Sequence, residues 1–356
     1  MPSARSNFPA PTVALIVLVV MTALYGIDKF LAAQERREVM QEAIDHYTAG
    51  QKLLNEGKPR QASVDFARAH SLDRANREYL LSLATAQLAD TRLSAARATL
   101  DEALDEDSND GRANLLMARL MAQNGHFKDA DSYYHRAIYG EWPPNSPTPA
   151  AKARLELAHM LAEHGSNQEL LSELLLLENE PAQDLATKKQ IAALFLRAGS
   201  AERSANAYRR LIREDRDDAD VFAGLGQAGI MAGNYRLAEN AFLDALRRRL
   251  DDPRILSQLA MVARLATLDP TLRRLSSAEK YRRSVAILDL AQKELNACLP
   301  SFTPAKPEEI PGPINNEMAE ARLDQAEKLW KQREEACKHP TPPDDPLPLL
   351  MKKLSQ

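Results

Sequence analysis

A spacing of 34 residues recurs through most of this chain, and it limits the fold more than any other feature of the sequence. When the chain is laid over itself at this spacing, three abutting windows align within residues 43–144 and three more within residues 151–252. Residues 145–150 form an insertion between the two sets. Self-similarity at a period of this length is typical of stacked supersecondary units, so the sequence predicts an array of repeats.

The residue types that recur in each window indicate how one window folds. A small residue stands at the eighth position of each window, in the column Gly50, Ala84, Ala118, Ala158, Ala192 and Gly226. A large residue follows sixteen positions later, in the column Phe66, Leu100, Tyr134, Leu174, Tyr208 and Phe242. Small residues allow two antiparallel helices to approach closely, and the large residue fills the gap between them. Each window therefore predicts a helical hairpin.

This pattern resembles the tetratricopeptide repeat, a 34-residue helix-turn-helix unit with small and large apolar residues at these offsets. The resemblance implies an all-α fold, a right-handed α-solenoid of about six hairpins, in which residues 43–144 form repeats 1–3 and residues 151–252 form repeats 4–6. The fourth window departs from the pattern, because Leu170 and Leu177 replace its small residues. We expect that unit to pack at an altered angle.

The N-terminal segment has a different character from the repeats. Residues 12–27 are uncharged and apolar, and the stretch continued to residue 33 would span ~33 Å as a helix, enough for a ~30 Å hydrocarbon core. We expect a membrane anchor over residues 1–33, with the transmembrane helix at about 12–33, followed by a linker at 34–42. A cleaved signal peptide is the main alternative, although Arg5 is the only charge before the apolar run. A buried helix of a soluble protein is another.

The sequence also contains a motif that imitates a dinucleotide-binding loop. Gly224, Gly226 and Gly229 have the spacing G-x-G-x-x-G, and Asp244 follows about 20 residues on. The preceding segment is a charged turn rather than the apolar strand that such a loop must follow, so we interpret the glycines as helix-packing residues. The histidines of the segment 159–164 do not have zinc-protease spacing. We predict no enzymatic activity, no cofactor and no metal site.

The resemblance implies a concave groove lined mainly by the first helix of each repeat. Transferred onto this sequence, the inward-facing positions are Tyr47, Gln51, Leu81, Thr85, Arg112, Leu115, Arg119, Lys152, Leu155, His159, Lys189, Arg197 and Gln227. Several of these are basic, which favours an acidic or extended peptide segment as ligand. The alternative is a solvated wall with scattered charges. The net charge of -4 argues against nucleic acid as a partner.

Residues 253–356 are expected to form a helical cap with a Pro-rich spacer and a tail. Two helical patterns, at 276–299 and 316–338, end in Cys298 and Cys337, the only cysteines of the chain. A disulfide between them requires the helices to lie parallel, which a spacer of some 16 residues at ~3.1 Å per residue allows. Two buried thiols are the alternative. A disulfide would place the body in an oxidising compartment, the periplasm rather than the cytosol.

Together these features predict a single-pass protein of the inner membrane that acts as a binding scaffold or adaptor for a protein partner. Envelope assembly, secretion or trafficking is the expected setting, by analogy with the family. A fixed structural subunit of a permanent membrane complex is the alternative function, and an enzyme is the third.

Overall fold

The computed structural model describes residues 10–144, 149–180, 184–299, 314–337 and 345–355. In these ranges the chain forms sixteen helices and no strand, which confirms the all-α fold class. The first seven helices are α1 (Ala10–Asn55), α2 (Pro59–Leu72), α3 (Arg77–Ala89), α4 (Leu93–Glu106), α5 (Gly111–Gln123), α6 (Phe127–Tyr139) and α7 (Pro149–His164). The others are α8 (Asn167–Glu178), α9 (Leu185–Arg197), α10 (Ala201–Glu214), α11 (Ala219–Met231), α12 (Tyr235–Arg248), α13 (Pro253–Leu268), α14 (Ser277–Cys298), α15 (Asn316–Ala336) and α16 (Leu347–Leu354).

The chain divides into two compact units, Met1–Leu157 and Ala158–Gln356. Helices α1 to α6 belong to the first unit and α8 to α16 to the second, while the boundary lies within α7. The helices follow the windows of the sequence, with two helices to each window from α1 to α12. Part of the insertion, residues 145–148, lies outside the described residues.

Contact between the small and large columns holds each hairpin together. In the first unit, a Cβ atom placed on Gly50 would lie 2.7 Å from the ring of Phe66, and in the second unit one on Gly226 would lie 2.7 Å from the ring of Phe242. The two phenylalanine side chains are 0% and 1% exposed, respectively. The fourth window buries its replacement side chains as well, since Leu170 is 1% exposed. Larger side chains at the small positions would push the helices apart.

In five of the six windows a left-handed residue stands at the turn between the two helices, and Gly165 of the fourth window is the exception. Gly233 has a φ of 66°, and Thr91, the residue at the same position of the second window, has a φ of 55°. Glycine adopts this conformation without steric cost, whereas threonine does not. The second hairpin therefore keeps the same turn with a less favourable residue.

Helix α1 is continuous from the apolar N-terminal segment into the first hairpin, so residues 34–42, predicted as a linker, are helical. Side chains from Val17 to Leu31 are exposed, and the apolar ones among them contact no core. Among the described residues this is the one helix long and apolar enough to cross a membrane, although a signal sequence would satisfy the same criteria. The helix is compatible with a membrane anchor. Residues 1–9, with Arg5, lie outside the described part of the chain.

The C-terminal helices do not continue the repeat. Helices α14 and α15 pack side by side, and a disulfide joins Cys298 at the end of α14 to Cys337 just beyond α15, with Cα atoms 5.7 Å apart. Because both cysteines lie at carboxyl ends, the two helices run parallel, as the sequence argument required. The spacer at 300–313 is outside the described residues. The short helix α16 was not predicted from the sequence; it lies in what was interpreted as a tail.

Candidate binding groove

The second unit contains a groove of about 820 Å³ on the side formed by the first helices of its hairpins. Helices α9, α11 and α13 line it, and α16 lies along one part of the rim. Its apolar surface comes from Leu196, Ala223, Tyr208, Phe242, Ile255 and Leu349. A groove with this lining buries apolar side chains of a ligand and leaves polar groups at its rim to orient it.

Gly224, the first glycine of the G-x-G-x-x-G stretch, lines the groove, and the other two glycines pack against α12. A Cβ atom on Gly224 would overlap the ring of Tyr208, and one on Gly229 would lie 2.8 Å from the backbone nitrogen of Ala238. The glycines therefore lie inside α11, where they allow close contact with α10 and α12. Burial raises the pKa of Tyr208 to about 12, so its hydroxyl is neutral at physiological pH.

The acidic side chains around the groove are already paired. The guanidinium of Arg249 donates to both carboxylate oxygens of Asp220, at 2.8 and 3.1 Å. This hydrogen bonding holds the pKa of Asp220 below its ordinary value. Arg254 donates to Asp252 at 3.2 Å. These carboxylates therefore repel an anionic ligand only weakly.

Two cations at the groove remain available to a ligand. Arg197, on α9, donates at 3.3 Å to the backbone carbonyl of Ala162, and Lys352 lies exposed on α16. Neither side chain forms an ion pair within the described ranges. A carboxylate between apolar contacts would find complementary charge here.

The structure reduces the basic stripe that the sequence predicted. In the first unit, Arg112 pairs with Glu78, and Arg119 donates to both carboxylate oxygens of Glu156 at 2.7 and 2.8 Å. In the second unit, Lys189 donates to Asp218 at 2.6 Å, and this hydrogen bond raises the pKa of Lys189. Glu78 and Glu156 lie on the first helices of neighbouring windows, and Asp218 lies at the N-terminus of another first helix. Because each charge is met by a residue about one repeat away, most of the basic stripe is neutralised within the protein.

The other predicted groove residues of the first unit have mixed positions. Leu81 and Leu115 are only 4% and 8% exposed and belong to the core rather than to a free surface. Tyr47 packs against Phe66 and Tyr79. The remaining positions are at least partly accessible: Gln51 and Lys152 are exposed, and Thr85 and Leu155 are half-buried.

In the second unit, His159 is exposed, and its Nε2 atom lies 3.1 Å from Oε1 of Gln190. Arg197 and Gln227 line the groove itself. Sequence reasoning missed Tyr208, Leu349 and Lys352. Tyr208 was assigned only to hairpin packing, and the other two belong to α16. The sequence LPLLMKKL after Pro346 is typical of a helix and could have indicated Leu349 and Lys352.

A buried carboxylate positions α16 at the groove. Asp269 is 0% exposed and accepts hydrogen bonds from Lys353 at 2.5 Å, Tyr235 at 2.7 Å and Thr271 at 2.7 Å. Burial by itself would raise the pKa of Asp269, but these hydrogen bonds outweigh it and leave the pKa below its ordinary value. Leu350 and Met351 add apolar contacts to the same cluster as α13 and α14. Helix α16 is therefore a fixed part of the groove wall.

Fold and groove together define a helical-hairpin array, and one comparison matches part of it to a family. Residues 53–120 match the family model described as tetratricopeptide repeat. The chain therefore carries tetratricopeptide repeats. A search of curated proteins finds no match.

Several solved tetratricopeptide repeat structures are similar to this chain. YrrB, described as having an unusual peptide-binding site, is 17% identical, with 54% of this chain and 95% of that chain covered and a TM-score of 0.44. PilW, a type IV pilus biogenesis factor, is 16% identical, with 62% of this chain and 98% of that chain covered and a TM-score of 0.46. Pseudomonas aeruginosa pilF is 13% identical, with 64% of this chain and 99% of that chain covered and a TM-score of 0.46.

We predict that Lys353→Met loosens α16, because it removes the cation from the buried Asp269 carboxylate. Hydrogen bonds to charged groups contribute roughly 1.5–3 kcal/mol, so amide hydrogen exchange across residues 347–354 should become about 10 to 100 times faster. The adjacent Lys352→Met is the matched control, since Lys352 is exposed and makes no such contact. Equal exchange in the two variants would contradict the role given to Asp269.

Proposed function

We propose that this protein is a membrane-anchored interaction scaffold whose groove in the second unit holds an extended segment of a partner protein. The observation that carries the proposal is the groove itself, with an apolar floor and two cations, Arg197 and Lys352, that have no carboxylate partner among the described residues. The tetratricopeptide repeat, shown by the match over residues 53–120, is consistent with such a role.

The chemistry of the groove specifies the ligand. Leu196, Ile255 and Leu349 offer apolar surface to two or three side chains of an extended peptide. Arg197 can bind a carboxylate with two parallel hydrogen bonds, and Lys352 can bind one as a point charge. We therefore infer a segment in which apolar residues flank an aspartate, a glutamate or a chain terminus.

Two features support a location at the inner membrane with the repeats outside the cytoplasm. The apolar part of α1 fits a membrane anchor in length and composition. The disulfide between Cys298 and Cys337 fits an oxidising compartment, because cytosolic thiols are kept reduced. A scaffold in this position would serve envelope assembly, secretion or trafficking.

A fixed structural subunit of a permanent membrane complex is the second candidate. Exposed leucines favour it, since Leu176 on α8 is 47% exposed and Leu250 is 78% exposed. Large apolar side chains at such positions suit a permanent interface. An adaptor should be obtained alone after mild detergent extraction, whereas an obligate subunit should co-purify at constant stoichiometry.

We predict that the groove prefers a peptide with a carboxylate at one position. Labelled ten-residue peptides with identical apolar residues and either glutamate or glutamine at the central position should differ about ten-fold in affinity for the full chain. The double variant Arg197→Glu and Lys352→Glu should abolish this preference. Arg213→Glu, on an exposed position of α10, is the control and should retain it. An equal affinity of the wild-type chain for both peptides would exclude the acidic ligand.

We predict that Cys298 and Cys337 are protected in intact cells until an impermeant reductant is added. Alkylation with an impermeant thiol reagent, read by mass spectrometry, should label both cysteines only after that reduction. This result is expected because the disulfide would then lie outside the cytoplasm. Labelling of both cysteines only after cell lysis would place the repeats in the cytosol and contradict the proposed location.

A further inference from the structure

Helix α13 begins a seventh hairpin that none of the described C-terminal helices completes. In the sixth hairpin, Phe222, Gly226 and Gly229 lie at the fourth, eighth and eleventh positions of the window, and all three are buried. The latter two face α12, as the contacts of Gly226 with Phe242 and of Gly229 with Ala238 show. In a complete hairpin, the second helix covers this face of the first helix.

The same positions on α13 are open. One period later they are occupied by Leu256, Ala260 and Ala263, and all three side chains are exposed, Leu256 by 46%. The eighth position is buried in each of the six preceding windows and exposed only here among the described windows. The seventh first helix thus presents an apolar face of the correct composition, and no second helix of the described residues lies on it.

The C-terminal helices lie on the other side of α13. Met261 and Leu265 are 4% and 1% exposed and share one apolar cluster with Leu288 of α14 and Met351 of α16. At 3.6 residues per turn, Leu265 lies about 140° around the helix from Ala260. Helices α14 and α16 therefore cover the side of α13 next to the groove, which leaves the hairpin side uncovered.

A cavity of about 880 Å³ lies beside this uncovered face, between α12 and α13. Tyr235 and Leu243 line it from α12, Leu259 and Ala263 from α13, and the turn at Thr271 borders it. Leu243 is 42% exposed, although it lies next to fully buried Phe242. The second helix of a seventh hairpin would occupy this place, because a second helix packs against both its own first helix and the hairpin before it.

The charge around the cavity indicates what kind of helix fits. Arg236 and Arg273 border it as exposed side chains, and neither forms an ion pair with a described residue. Glu239 is the acidic residue among those that line it. The excess of positive charge favours an incoming helix with acidic residues on its flanks.

We propose that this vacant hairpin position on α12 and α13 is a second binding site, separate from the groove, that takes one acidic amphipathic helix of a partner protein. The helix would carry the pattern small-x-x-x-large-x-x-small that the second helices of this chain carry. Its large residue would fill the space over Ala260 and Ala263, as Phe242 does over Gly226. The partner helix would thereby complete the seventh hairpin.

The chain itself supplies the probe. Helix α4, LSAARATLDEALDE, has Ala96, Leu100 and Ala103 at the three pattern positions. A labelled peptide of this sequence, stapled between the exposed positions 97 and 101, keeps three acidic residues. We expect it to bind the full chain in mild detergent, as measured by fluorescence anisotropy. The same peptide with Glu102→Lys, Asp105→Lys and Glu106→Lys should bind at least about ten times more weakly.

Substitutions in the protein locate the site. Ala263→Trp fills the vacant position and should weaken binding of the acidic peptide by about ten-fold or more. Ala67→Trp, at an exposed position of α2, and Gln227→Trp, in the groove, should leave binding unchanged. The last control separates this site from the proposed function, because a peptide bound in the groove would be displaced by Gln227→Trp.

Charge reversal gives a second test that does not depend on filling the cavity. Arg236→Glu combined with Arg273→Glu should remove the preference for the acidic peptide over the lysine peptide. The proposal is overturned if the acidic peptide fails to bind, if both peptides bind equally to the wild-type chain, or if Ala263→Trp and Ala67→Trp have the same effect.

Discussion

The contact between a small residue on one helix and a large residue on the next is the constraint on which the structure depends. Phe66 against Gly50 and Phe242 against Gly226 show it in the two units. Because this contact fixes how closely two helices approach, it fixes the hairpin, and repetition of the hairpin places the first helices side by side. The groove and the uncovered face of α13 both depend on where this packing continues and where it ends.

Repetition of the hairpin also explains how the charged side chains pair. Side chains about one period apart become neighbours, so Arg112 meets Glu78 and Lys189 meets Asp218. Such ion pairs contribute little to stability at an exposed surface, but they consume the charges that could otherwise bind a ligand. Arg197 and Lys352 line the groove and have no carboxylate partner among the described residues, so they are the cations that this pairing leaves for a ligand.

Both proposed binding sites depend on how the array ends. Helices α14 and α16 cover the groove side of α13 instead of its hairpin side, and the buried Asp269 carboxylate fixes α16 through Lys353. This single change of packing gives the groove part of its wall and leaves the hairpin position on α13 uncovered. Both proposed binding sites therefore arise from the same departure from the repeat.

The sequence was sufficient for the parts of the structure that repeat. The columns through Gly226 and Phe242 predicted the hairpins and explained the false dinucleotide motif, because local spacing decides helix packing. The same reasoning overestimated the basic stripe, since the pairing of Arg119 with Glu156 depends on rotamers rather than on helix register. It also missed α16, because nothing in the 34-residue pattern predicts where a non-repeating helix docks. Contacts such as Lys353 with Asp269 join residues 84 apart that no periodicity relates.

The most direct test of the central claim is site-specific photo-crosslinking in intact cells, with a benzoylphenylalanine at position 227 in the groove and another at position 67 on the surface of α2. If the groove binds a partner segment, position 227 should give a discrete crosslinked product that position 67 does not give and that Arg197→Glu with Lys352→Glu removes. The absence of a product at position 227, or the same product at both positions, would contradict the claim that this groove is the binding site.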